Sequence, residues 1–327
     1  MSVTPVFDSA RIERGRSLRL FTTLKAGGRA EAFTACRTRD ELAAAAIYAQ
    51  THGMRTTVLG WGSNILPSDA GVPGFVLLNL ASEIQLREDG LVEVDAGTGF
   101  QDLWLKTAQA NRAGLEFAVG IPGTVGGALV SNAGAYRSNV SEFLTELEVV
   151  REGRREWVSP DVMEFAYRDS VLRRPDAPQM VVLAARMRLP AGNPLEMYNE
   201  ARDYQRQRIG KQPPSASAGS FFKNVYDQAL ADQLDNLPER LRSAGVVPAG
   251  YLIEQVGLKG RRYGGAMIGA RHANFLLNVG GATATELRRL AEHAIAQVRE
   301  RYRVTLEEEV LYLGDWSAWN TTGQLEP

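Results

Sequence analysis

Two glycine-rich stretches hold residue types that could cradle a bound group. The first is Gly60-Trp61-Gly62-Ser63-Asn64. The second runs from Gly120-Ile121-Pro122-Gly123-Thr124-Val125-Gly126-Gly127-Ala128 through Ser131-Asn132-Ala133-Gly134-Ala135-Tyr136. Glycine permits positive φ and close backbone approach, and short polar side chains add local hydrogen bonds. Consecutive N–H groups in such loops can hold a diphosphate. The first cluster by itself also reads as an ordinary tight turn, and it is not the G-x-G-x-x-G dinucleotide fingerprint. The second concentrates so many glycines that a purely structural connector is the weaker reading. Two such loops flanking mixed strands suggest one large phosphate-bearing cofactor.

Three further residues could do chemistry. Arg168, in Tyr167-Arg168-Asp169-Ser170, carries a guanidinium suited to a planar carboxylate. Taken alone, it reads more readily as a surface arginine paired with Asp169 or Glu164. Ser220 follows Gly219 and, taken alone, reads as a turn hydroxyl. It is no nucleophile elbow, and no Asp–His partnership is evident. Glu309 closes Glu307-Glu308-Glu309 ahead of Leu311-Tyr312-Leu313, where a strand would send alternate side chains to one face.

The elements that must position these groups can be read from pattern. Thr38-Arg39-Asp40-Glu41 has capping-box spacing before an alanine-rich helix that Gly53 should stop. Thr56–Leu59 reads as a short buried strand feeding the first glycine cluster, with further strands at Phe75–Leu78, Leu91–Asp95 and Val181–Leu189. Phe100–Asn111 is a second helix. Residues 190–194 are turn-rich, Tyr198–Arg208 reads as a connecting helix, and 213–220 as a loop. Glu286–Arg303 is the clearest helix, with Leu287, Leu290, Ala291, Ala294, Ile295, Val298 and Tyr302 on one face.

Composition excludes more than it assigns. The chain has 327 residues, 44% hydrophobic and 23% charged, with a formal net charge of −1. That is a globular balance, too long for one ordinary domain, with no global attraction to nucleic acid or an anionic membrane. One cysteine and 3 histidines argue against a disulfide framework or a metal cluster. Met1–Arg19 lacks the apolar core of a signal peptide, and no apolar run is long enough to span a bilayer. A cytoplasmic protein is expected.

Taken in order, these motifs resemble the UDP-N-acetylenolpyruvoylglucosamine reductase (MurB) family. The resemblance rests on both glycine clusters, Tyr167-Arg168-Asp169-Ser170 and Ala218-Gly219-Ser220-Phe221-Phe222-Lys223-Asn224. It continues through Ala249-Gly250-Tyr251-Leu252-Ile253-Glu254 with Leu258-Lys259-Gly260, and Leu306-Glu307-Glu308-Glu309-Val310. Each motif is weak alone; the ordered set, over about residues 20–314, is specific. It implies an α+β fold: an FAD-binding region of the vanillyl-alcohol-oxidase (PCMH) type plus a smaller α+β substrate domain. By similarity, residues 1–195 form the FAD-binding region, in two lobes split near 70–80. Residues 196–305 form the substrate domain, and 306–327 return to the flavin region.

The family reaction passes a hydride from NADPH to FAD and then to an enolpyruvyl ether, giving UDP-N-acetylmuramate for peptidoglycan. The resemblance makes Arg168 the cation for the enolate, Ser220 the proton donor to carbon and Glu309 a donor to the enolate. It places Gly60, Trp61, Gly62, Ser63, Asn64, Ile121, Pro122, Gly123, Thr124, Gly126, Gly127, Ala128, Asn132, Gly134, Ala135 and Tyr136 at non-covalent FAD. Tyr167, Lys211, Lys223, Asn224, Lys259 and His272 are expected at the substrate, UDP-N-acetylglucosamine enolpyruvate. Arg206 and Arg208 are further candidates for its diphosphate, or a solvated helix face. No metal is implied, and NADPH enters through the resemblance alone, since no motif for its ribose phosphate is visible. Trp61, Arg137 and Val225 depart from the family pattern. The short stretch between Arg168 and Ser220 points to the subtype lacking an extra substrate-domain insertion. Another FAD oxidoreductase of this fold, or a non-catalytic nucleotide-sugar binder, would not need Arg168, Ser220 and Glu309 together.

Overall fold

The computed structural model describes residues 6–209 and 213–319. The chain forms two compact units. The first takes in the described residues of 1–16, 30–61 and 73–210, and the second those of 17–29, 62–72 and 211–327.

In the first unit, the Thr38 hydroxyl caps helix α1 (Arg39–Thr51) by accepting from the Glu41 N–H at 3.1 Å. The return half of the expected capping box is diverted, because the Glu41 carboxylate accepts instead from the Arg37 N–H at 2.6 Å. Gly53, at φ +64°, stops the helix as its type predicts. The buried face of α1 is Leu42 and a run of alanines, whose small side chains let backbone approach on two sides. Ala32, Cys36, Phe75 and Leu77 of one sheet and Val150, Val181 and Leu183 of another share its core. Burial pushes the Cys36 thiol up to about 12, so the lone cysteine is an inert core residue.

The first of those sheets has strands Glu13–Ser17, Arg29–Cys36, Val72–Asn79 and Thr56–Leu59, in that order. Thr56–Leu59 runs parallel to Phe75–Leu78. The second sheet is antiparallel, ordered Arg154–Val158, Leu144–Arg151, Met180–Arg188, Leu91–Asp95 and Ile84–Leu86. Its Val92, Val94, Leu147, Val149 and Val182 pack with helices α2 (Phe100–Gln109), α3 (Val125–Val130) and α4 (Pro194–Ile209). Each such aliphatic side chain contributes about 1.5–3 kcal/mol on burial. Pro194, which reads as part of a chain break, occupies the first position of α4, where its missing N–H costs nothing.

The second unit is built on an antiparallel sheet of Ala216–Ser220, Phe275–Asn278, Ala266–Ile268 and Arg262–Tyr263. Helices α5 (Gln228–Gln233), α6 (Glu239–Arg242), α7 (Ala249–Gln255) and α8 (Ala284–Tyr302) belong to it. Leu287, Leu290, Ala291, Ala294 and Val298 of α8 are fully buried, the face its periodicity predicts. Thr283 and Glu286 close a complete capping box at its start. Leu311–Leu313 pairs in parallel with Ile65–Pro67. One expectation fails: residues 216–220 are a strand, not part of a loop. Their small side chains carry no strand signal, but Phe275–Asn278 supplies hydrogen-bonding partners. Among the described residues, no helix is long and apolar enough to cross a membrane.

Candidate active site

In the first unit, Tyr167 and Arg168 form the tip of a tight turn. Ala166 and Asp169 exchange backbone hydrogen bonds of 3.1 and 3.2 Å across its base. Arg168 has φ +54°, a left-handed conformation costing a non-glycine residue about 1–3 kcal/mol. Its guanidinium carbon lies 6.0 Å from the centroid of the half-exposed Tyr167 ring. The turn is fixed at both ends. Asn132 donates from Nδ2 to the Ala166 carbonyl at 3.0 Å, and the buried Ser170 hydroxyl donates to the Val130 carbonyl at 2.6 Å. The second glycine loop therefore carries the Arg168 turn, and the sequence motif around Arg168 shows Ser170 without its role.

That loop is itself laced to the segment before α2. Val125 donates to the Thr98 carbonyl at 2.8 Å, Gly126 to the Ala96 carbonyl at 2.7 Å and Phe100 to the Gly123 carbonyl at 2.9 Å. The Gly127 N–H is taken by the Thr124 hydroxyl at 3.2 Å. Several N–H groups expected to serve a diphosphate are thus committed within the protein. The glycines are needed here for close approach. A Cβ on Gly126 would lie 3.0 Å from the Ala96 carbonyl oxygen, and one on Gly60 would overlap the Thr124 side chain. Gly60 so brings the first cluster onto the second. The Trp61 indole, half exposed, rests against Gly99, where a Cβ would meet it at 2.9 Å. Two buried polar atoms beside these loops, Thr98 Oγ1 and Asn132 Oδ1, have no hydrogen-bond partner among the described residues.

Beyond Asn132, Gly134–Ala135 pairs with Ser138–Asn139 in a two-residue hairpin. Its central residues, Tyr136 and Arg137, have φ +55° and +71°. Such a turn favours glycine or asparagine at its centre, and Tyr136 and Arg137 bear the strain instead. The Tyr136 ring stacks on Tyr204 of α4 at 3.6 Å and 6°. Arg208 of the same helix is half-buried and donates to the Phe117 carbonyl at 3.2 Å. Arg206 is the exposed member of that pair, 3.7 Å from Asp203.

In the second unit, Ser220 sits at a bulge. The strand register shifts between Ser217 and Ser220, and Gly219 at φ +77° takes up the extra length. Bulges redirect the side chain next to them. The next residues pair with the C-terminal segment: Glu309 donates to the Phe221 carbonyl and Lys223 to the Glu307 carbonyl, both at 2.8 Å. Asn64 brackets the same segment, donating from Nδ2 to the Glu309 carbonyl at 3.1 Å and accepting from the Leu311 N–H at 3.0 Å. Gly62, at φ +61°, lets this loop close on the Phe21 carbonyl.

The three adjacent glutamates differ sharply. Glu307 is mostly exposed and ion-pairs with the Lys223 ammonium. Glu308 is half-buried, bonded to the Tyr312 hydroxyl, and the burial of its carboxyl pushes its pKa above the ordinary carboxylate value. Tyr312 is raised well above the usual tyrosine value by the same burial and by Glu308. Lys259 pairs with Glu254 at 2.6 Å, and Asn224 is exposed. His272 accepts from the Asn274 N–H through Nδ1 at 3.2 Å, which leaves Nε2 as the protonated nitrogen of the neutral ring. Lys211 lies outside the described residues.

The architecture and loops define a flavoprotein class. Residues 30–157 match the family model described as an FAD binding domain. Residues 211–313 match the C-terminal domain of UDP-N-acetylenolpyruvoylglucosamine reductase. A reductase of that name from Synechococcus sp. (strain JA-3-3Ab) is 39% identical over 311 residues, 94% of this chain and 93% of its own. Another, from Rubrobacter xylanophilus, is 37% identical over 95% of this chain and 97% of its own. The crystal structure of the Thermus caldophilus reductase superposes with a TM-score of 0.73 at 33% identity, covering 93% of this chain and 99% of that one. The chain belongs to the UDP-N-acetylenolpyruvoylglucosamine reductase family. Its first unit fits a flavin in one respect: Thr98 Oγ1 and Asn132 Oδ1, beside the glycine loops, are buried polar atoms with no partner among the described residues, as groups that meet a bound ligand would be.

Proposed function

We propose that this chain uses NADPH and non-covalent FAD to reduce UDP-N-acetylglucosamine enolpyruvate to UDP-N-acetylmuramate, a cytoplasmic step of peptidoglycan precursor synthesis. The observation that carries this reading is the 39% identity to a reductase of that name across 94% of the chain. FAD, when bound, accepts a hydride from NADPH and supplies it to the substrate's double bond. Residues 1–195 serve the flavin, with Gly60, Trp61 and the 121–136 loop as its contacts. Residues 196–305 serve the substrate, and the segment from 306 completes the flavin region.

The protein's own groups handle charge and the proton. Hydride addition to the terminal alkene carbon leaves negative charge on its neighbour, delocalised into the substrate carboxylate. Arg168 donates to that carboxylate, preorganised by its anchored turn. Glu309, in its protonated form, donates to the same developing charge. Ser220 gives its proton to the neighbouring carbon, completing the lactyl ether, and is reprotonated from solvent. Lys259, Asn224 and Lys211 serve the nucleotide diphosphate. Tyr167, Lys223 and His272 line the substrate, and NADPH binds in its place before it. The expected test outcome is asymmetric. Ser220→Ala leaves reduction of the flavin by NADPH nearly intact and slows its reoxidation by substrate about 10²–10⁴-fold. Equal slowing of both half-reactions contradicts the role.

A further inference from the structure

Asn274 does something no local pattern requires. Its side chain, 4% exposed, reproduces a strand's hydrogen bonds with a single residue. Nδ2 donates to the Phe222 carbonyl at 2.9 Å, and Oδ1 accepts from the Phe222 N–H at 2.9 Å. The Asn274 carbonyl accepts from the Phe221 N–H at 2.7 Å. On their other edge, these same two residues meet the C-terminal segment. The Phe221 carbonyl accepts from Glu309, and Phe222 bridges Glu308. Residues 221–222 are therefore gripped between Asn274 and the 307–309 segment. Ser220 immediately precedes the grip, and Glu309 lies on its far edge.

We propose that Asn274 is a positioning residue that sets the spacing between the Ser220 hydroxyl and the Glu309 carboxyl, by clamping the Phe222 backbone. The inference rests on the proposed roles of Ser220 and Glu309. Ser220 pairs with Phe275 directly after a bulge, and the register is broken between it and Ser217. Its location is thus set by that single pair and by the residues C-terminal to it, where the Phe222 clamp is the next fixed point. An amide is the side chain that can donate to a carbonyl and accept from an N–H of the same residue at once. A displacement of about 1 Å of a reacting group costs about 10²-fold in rate, so the clamp matters to chemistry beyond its share in folding.

The test uses FAD-loaded, full-length Asn274→Ser and Asn274→Ala proteins. Serine retains a single short hydroxyl and cannot span both Phe222 groups, and its milder change keeps the test available if the alanine variant does not fold. Flavin reduction by NADPH, flavin reoxidation by the enolpyruvyl substrate, and the steady-state kcat and KM for that substrate are measured. The expected result is reoxidation and kcat lowered about 10²-fold, with KM and the rate of flavin reduction changed less than about twofold. Parallel loss of both half-reactions, or unchanged reoxidation, overturns the proposal. Ser220→Ala and Glu309→Gln run alongside as controls. If they too leave reoxidation intact, the roles of Ser220 and Glu309 fall. If they slow it and the Asn274 variants do not, the positioning role alone falls.

Discussion

Arg168 concentrates the residue-scale argument. Its left-handed φ of +54° is a conformation in which glycine would be relaxed, yet the position holds a long cation. Asn132 and Ser170 hold the turn from both sides, so the strain is maintained by its surroundings. A guanidinium offers paired donors in one plane, and an ammonium does not. Arg168→Lys is therefore expected to lower kcat by about 10²-fold, read from steady-state turnover, while FAD content stays that of the parent. Near-normal turnover contradicts a bidentate role. The arginine and its motif were legible in the sequence. Its strain was not, because positive φ at a non-glycine residue is imposed by tertiary contacts.

At the scale of elements, the C-terminal segment shows how alternation separates like residues. Glu307 meets Lys223 at the surface, whereas Glu308 points inward to Tyr312, with Arg288 stacked 4.5 Å from the Tyr312 ring centroid. Burial raises the Glu308 pKa above its unfolded value. The folded state then binds a proton that the unfolded state has released. Glu308 therefore contributes stability that is present below the ordinary carboxylate range and lost as pH rises through its raised value. Glu308→Gln, neutral at every pH, should lose less stability than the parent across that window, read as urea midpoints against pH. Parallel curves contradict the buried, shifted carboxyl. The sequence predicted the helices α1 and α8 and the strand Thr56–Leu59, where caps, alanines and β-branched residues act locally. It misread Ala216–Ser220 and passed over Asn274, since a bulged strand of small residues and a side chain imitating a strand exist only through distant partners.

Of the lines along which the whole molecule divides, only the last, near Gly210, falls beside a turn-rich stretch of sequence. The chain leaves one unit for the other near Arg16, Arg29, Trp61, Val72 and Gly210, and the first glycine cluster is itself divided, with Gly60 and Trp61 in one unit and Gly62, Ser63 and Asn64 in the other. Ordered motifs survive such interleaving, and so the family was legible although the chain passes between the units several times. Arg168 belongs to the first unit, and Ser220 and Glu309 to the second. A single-turnover experiment tests the proposed reaction most directly. The purified yellow protein, its flavin reduced anaerobically by NADPH, is mixed with UDP-N-acetylglucosamine enolpyruvate. The account predicts that the oxidised flavin spectrum returns and one UDP-N-acetylmuramate appears per flavin. A flavin that stays reduced, or reoxidises without that product, would contradict it.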